Sequence, residues 1–205
     1  MIQKLALALF LFISAVILGV FVLASTRPSA YAVERSIVVA VAPETVYDLV
    51  ADLHRFPEWS PWQDLDPAMR TDWSGPATGP GAAYHWVGND KVGEGRMTLR
   101  TLTPPREVAI ALDFLKPFAA SSDLRFTLTP VVGGTNVTWR MSGRNNFMAK
   151  VMTLFVDMDA AVGRDFEKGL TRLERLAEQT PPPAPAGLAA PDTTDGAFPD
   201  TALAR

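Results

Sequence analysis

Between Met97 and Met141, apolar side chains recur at every second position in four successive runs, and few folds accept that pattern. Met97 and Leu99 open the series. Val108, Ile110, Leu112 and Phe114 make the cleanest run, followed by Leu124, Phe126 and Leu128, then Val137, Trp139 and Met141. Pro104-Pro105, Pro117 and Gly133-Gly134 punctuate them. Strands joined by turns this short pair antiparallel as a meander, with one face apolar and the other wet. Tyr84 and Trp86 supply an earlier strand on the same face, Trp73 one before that, and Gly88-Asn89-Asp90 suits a hairpin tip.

An apolar sheet face must be covered. Phe147, Val151, Leu154, Phe155, Met158, Val162, Phe166, Leu170, Leu173 and Leu176 recur at three- and four-residue steps. That spacing predicts a single helix of about 30 residues with one apolar stripe, capped by Asn145 or Asn146. Upstream, Val33 to Val41 alternates as a strand with Ile37, Val39 and Val41 inward. Pro43 then opens a helix bearing Val46, Leu49, Val50 and Leu53, and Pro57 and Pro61 confine residues 54–62 to a short helix or turns. The expected class is α+β: a curved antiparallel sheet of about seven strands around a long C-terminal helix, with two short helices after the first strand.

That order of elements resembles the START-like, or SRPBCC, superfamily of helix-grip proteins. VERSIVVAVAPETVYDLVADLHRFPEWSPW (33–62) looks like the superfamily's opening. GNDKVGEGRMT (88–98), GGTNVTWRMSG (133–143) and MDAAVGRDFEKGLTRLERL (158–176) look like its bacterial polyketide cyclase/dehydrase-like members, many of which carry an N-terminal hydrophobic segment. The resemblance implies a cavity between the sheet and the last helix. One fold of this kind hosts carriers, cyclases, hydroxylase domains and chaperone activators, so it does not name an activity.

The domain is expected over residues 31–179, flanked by two segments of other character. Residues 1–30 hold a run, Leu5 to Ala24, with no charge; at 1.5 Å per residue it spans roughly 30 Å, the thickness of a bilayer's hydrocarbon core. It is long for a cleaved signal peptide, although Val22-Leu23-Ala24 and Ala30-Tyr31-Ala32 are candidate cleavage sites. The expectation is a single-pass anchor with the domain outside the cytoplasm; the alternative is a secreted or periplasmic protein after cleavage. Residues 180–205 are rich in Pro and Ala and should be disordered.

Composition narrows the function. The chain has 205 residues, no Cys and two His, His54 and His85, so thiol chemistry and Cys- or His-based metal sites are unsupported. Its net charge is −3, and −5 from Pro28 onward (17 basic, 22 acidic), which disfavours nucleic acid and anionic lipid as electrostatic partners. Neither a phosphate loop at Gly93-Glu94-Gly95 nor a calcium loop at Asp157 and Asp159 has the required pattern.

The inward face holds no charged residue by alternation, while Glu107, Asp113, Asp123, Arg125 and Arg140 point outward. The candidate pocket comprises Trp59, Trp62, Tyr84, Trp86, Met97 and Leu99, with Ile110, Leu112, Phe114, Phe126, Trp139 and Met141 from later strands. Phe155, Met158 and Val162 complete it from the helix, and His54 and Glu58 are polar candidates at its mouth. The five tryptophans serve equally well as core filler. Inward polarity is limited to Tyr84, the indoles and Thr71 or Thr101. Such a lining favours binding an apolar small molecule or lipid over acid–base catalysis, with no cofactor, metal or catalytic residue assigned. A cyclase or dehydratase using Tyr84, His54 or Glu58 is the alternative, and a protein-interaction module the third.

Overall fold

The computed structural model describes residues 2–182, so the reading of the Pro/Ala-rich tail lies, from residue 183 on, outside the described residues. The sheet is a continuous antiparallel meander in the order β1-β7-β6-β5-β4-β3-β2. Its strands are β1 (Ala30–Val39), β2 (Arg70–Ser74), β3 (Ala83–Val87), β4 (Glu94–Thr103), β5 (Glu107–Lys116), β6 (Ala120–Val131) and β7 (Gly134–Arg144). The helices are α1 (Ile2–Thr26), α2 (Pro43–Ala51), α3 (Phe56–Trp59), α4 (Phe147–Met152) and α5 (Met158–Gln179). This is the helix-grip arrangement: α2 and α3 follow the first strand, and α5 closes the concave face.

Register turns the alternation into rows across the inner face. Trp73, Tyr84, Met97, Leu112, Ser122, Gly143 and Tyr31 are successive partners across all seven strands. The next inner rows carry Leu99, Ile110, Leu124, Met141 and Val33, then Leu102, Val108, Phe126, Trp139 and Arg35. A bulge between Leu99 and Thr101 resets the phase of β4. Thr101, expected inward, is therefore exposed, and Leu102 packs on the core instead.

Two further expectations need correction. The apolar stripe does not form one helix. Asn146 caps α4 by accepting from the Ala149 N–H (2.8 Å), and Asp157 caps α5 by accepting from the Ala160 N–H (3.0 Å). The stripe breaks because its two halves have different partners. Phe147 packs on Phe21 of α1 (ring centroids 5.0 Å apart), whereas Phe166, Leu170 and Leu173 face the sheet. The inner face also carries a charge: Arg35 shares the parity of Val33 and Ile37. Its guanidinium reaches over β1 to Asp159 (3.0 Å) and Glu167 (2.9 Å) on α5. It lies against Gly163, where a Cβ would sit 1.9 Å from the guanidinium, and it holds the Asp159 carboxyl below its ordinary range.

Candidate ligand-binding site

α5 runs close along β1 and touches β7 only sparingly, so it stands off from the strands beyond. What fills the gap differs along the helix. From the middle of α5 onward, Trp139 stacks on Phe166 (4.0 Å between centroids, 5° between planes), whose ring divides the two regions, and on Phe126 (5.1 Å, 29°). Trp59 meets Trp139 edge-on at 5.4 Å and Phe126 at 5.8 Å. Gly169 is what allows this closure, because a Cβ there would lie 2.7 Å from the Trp139 ring and 3.2 Å from Pro61.

At the other end the gap remains as a cavity of about 180 Å³. Its floor is Tyr84, Trp86, Met97, Leu112, Phe114, Leu124 and Met141; its roof is Val162, Asp165 and Phe166; Phe56, Ser60, Trp62, Met69, Lys91 and Val92 close the sides. Trp86 lies flat over β4 because its strand partner is Gly95, where a Cβ would be 2.4 Å from the indole ring. The Trp86 indole donates to the Val92 carbonyl (3.2 Å), which fixes both the ring and the loop at 88–93. Asp66 steadies the same loop by accepting from the Asn89 N–H (2.7 Å).

Polarity in the cavity is sparse. Tyr84 is buried, and none of the hydrogen bonds among the described residues involves its hydroxyl. Burial alone pushes its pKa up to about 12, so at neutral pH it is a fixed hydrogen-bond donor rather than a base. Lys91 and Asp165 are the charged residues of the lining; both are partly solvated and sit at the opening. Strand alternation does not find them, since neither lies on a strand. Asp165 falls three residues after Val162 on α5, so helical spacing is the signal that reaches it.

The candidate pocket residues separate into groups. Trp62, Tyr84, Trp86, Met97, Leu112, Phe114, Met141 and Val162 line the cavity together. Trp59, Leu99, Ile110, Phe126 and Trp139 are buried in the packed core beside it. Phe155 and Met158 are exposed, at 73% and 40%, on or next to the break in the helix. His54 stacks on Trp73 (5.3 Å, 11°) at the β2 edge, and Glu58 pairs with Arg55 (3.1 Å). Neither lines the cavity. Alternation does not indicate Phe56, Ser60, Met69, Lys91, Val92 and Asp165, which come from loops and helices, but Leu124 and Phe166 lay on predicted apolar faces. Among the described residues, no cluster of His, Cys, Asp or Glu could hold a metal ion.

An antiparallel sheet gripping a helix over a largely apolar cavity defines a helix-grip domain of ligand-binding or cyclase type. The chain belongs to the polyketide cyclase / dehydrase and lipid transport family, whose sequence profile matches residues 31–178. No curated protein matches it significantly in sequence. Among solved structures it is similar in fold to protein CV1439 from Chromobacterium violaceum (TM-score 0.54, 14% identity, covering 72% of this chain and 96% of that one). It is also similar to an Aha1 from Colwellia psychrerythraea (0.52, 18%, 72% and 96%). A third is the di-domain ARO/CYC StfQ of the steffimycin biosynthetic pathway (0.52, 14%, 74% and 51%).

Proposed function

We propose that this chain is a membrane-tethered binding module for an apolar small molecule, of lipid, polyketide or isoprenoid character, held between the sheet and α5. The observation that carries the reading is the cavity itself: largely apolar walls, with the buried Tyr84 hydroxyl among their few polar groups. Such a site rewards a hydrocarbon body with an oxygen acceptor placed against Tyr84. At about 180 Å³ it takes a compact ring or a short chain as it stands; a longer ligand extends out between Lys91 and Asp165.

Support for the tether comes from α1, a 25-residue helix with mean hydropathy 3.0 over its best window and no buried residue in that window. The candidate signal-cleavage sites fall within ordered elements. Ala30-Tyr31-Ala32 lies in β1, where Tyr31 bonds Ser122 (2.7 Å), and Ala24 is a buried residue of α1. Cleavage after Ala32 would strip the end of an edge strand.

A cyclase is the second reading, favoured by the family description and by Asp165 at the mouth. It needs a titratable group on the reacting atoms, and the inner one, Tyr84, stays protonated far above neutral pH.

The test compares the full-length chain, extracted from membranes, with its Val162→Phe variant, whose added ring fills the cavity from the helix side. Solvent extraction and mass spectrometry should find an apolar species on the wild type, depleted about tenfold in the variant, as expected for losing roughly 1.4 kcal/mol of apolar contact. The same species at equal levels on both would reject the reading.

A further inference from the structure

The exposed apolar residues outside α1 are not scattered evenly. Phe147, Met148 and Met152 of α4 and Phe155 and Val156 of the following turn form one group; Leu115 at the end of β5 and Phe118 (71% exposed) of the β5–β6 turn form another. Both lie at the end of the sheet where β1 begins, β5 and β7 end and β6 starts. That is also the cavity end, since Phe114, Leu112 and Met141 are among the last inner residues of β5 and β7 there. The partly exposed liners Met69, Lys91, Val162 and Asp165 place the opening between the 88–93 loop and the first turns of α5.

α1 fixes what this end faces. Only Arg27, Pro28 and Ser29 separate it from β1, a reach of at most about 11 Å. Val20, Leu23, Leu154 and Phe155 line one hollow between α1 and the turn after α4. Phe21, which packs on Phe147, is three residues inside the end of the uncharged run at Ala24, so it sits about 4.5 Å below the edge of the hydrocarbon. α4 therefore lies at the level where lipid tails meet headgroups. Arg27, Arg144 and Lys150 flank it, where cationic heads reach lipid phosphates while their stems stay in the apolar layer. A short apolar helix bordered by basic residues suits that boundary.

Resting on the tethered reading above, we infer that α4, the turn at 153–157 and the β5–β6 turn form a collar that seats the domain on the bilayer spanned by α1. The cavity then opens towards lipid, and its ligand is exchanged with the membrane instead of with water. The occupant is the bilayer because α4 and the turn after it pack directly on the apolar end of α1, at Phe21, Val20 and Leu23.

The absence of cysteine makes the test clean. The full chain, carrying a single fluorophore on Ile13→Cys, Phe118→Cys, Met148→Cys, Phe155→Cys or Val132→Cys, is reconstituted in vesicles of phosphatidylcholine and phosphatidylglycerol doped with a spin-labelled quencher lipid. All five positions are solvent-exposed in the structure, and Val132 lies in the turn between β6 and β7 at the opposite end. The expected result is loss of fluorescence at 13, 118, 148 and 155, with 132 unaffected. Quenching at 13 alone would overturn the collar and leave the tether standing. No quenching at 13 would remove the tether and the collar with it.

Discussion

The two ends of the space under α5 are built from the same kinds of residue, yet one is packed and the other is hollow. At the packed end, Trp139 is sandwiched between Phe126 and Phe166, and Gly169 removes the side chain that would hold the helix away. At the hollow end, Tyr84, Trp86 and Phe114 are just as large, but they pack on one another, Tyr84 stacked on Trp86 (25° between planes) and Phe114 edge-on to it (87°), and border open space under α5. Gly95 lets the Trp86 ring settle onto β4 rather than stand up towards α5. Aromatic content does not decide whether an interior is filled. The positions of two glycines, Gly95 and Gly169, and the course of α5 along β1 do.

Five substitutions probe that contrast. The largest effect is expected for Trp139→Ala, which opens a void in the packed end and should cost about 3–5 kcal/mol in urea unfolding. Phe114→Ala should cost less than half as much, because that ring already borders empty space and loses fewer contacts. Equal costs would mean that the cavity is closed in solution.

Gly169→Ala comes next. Alanine gains up to about 1 kcal/mol of helix propensity over glycine, but its Cβ would sit 2.7 Å from Trp139, and overpacking costs about 1–3 kcal/mol. The clash should win, lowering Tm in calorimetry and prying the packed end open.

Tyr84→Phe deletes the buried hydroxyl. It should weaken binding of an apolar probe bearing a carbonyl or carboxylate by roughly two- to tenfold, the range of a net hydrogen bond, and leave a pure hydrocarbon unaffected in a displacement titration. The variant should also lose the tyrosinate absorbance that develops near pH 12. Tyr84 contributes stability fully present below its unfolded pKa of about 10, lost as pH rises through about 12.

The smallest effect is at Arg35, a partly solvated ion pair. Asp159 is held below its ordinary pKa by the hydrogen bond from Arg35. Its contribution is therefore present above about pH 4 and lost as pH falls through the lowered value. Arg35→Met should flatten that acid limb in a stability-versus-pH series and leave the neutral baseline nearly unchanged.

The legible and illegible parts of this chain divide along physical lines. The antiparallel meander followed from its short turns, and most inner faces from period-two alternation, because a half-buried antiparallel sheet writes its burial into every second residue. The bulge at Leu99–Thr101 broke that rule by one residue, and nothing in Leu99-Arg100-Thr101 marks it. Arg35 was readable and misplaced: its parity with Val33 and Ile37 puts it inside, and only the carboxylates of α5 make that tolerable. The helix break at 153–157 hid inside an unbroken apolar stripe, since periodicity records that a face is buried and not against what. The lining from loops, Lys91 and Met69 above all, depends on how turns fold back over the sheet, which no local pattern encodes.

The most direct test of the central claim is a crystal structure of the protein under xenon pressure. Xenon enters apolar voids and avoids both packed cores and hydrated clefts. Density among Tyr84, Trp86, Met97, Phe114 and Met141, with none around Trp139, is the predicted result. Ordered water at that site, or side chains collapsed into it, would contradict the account.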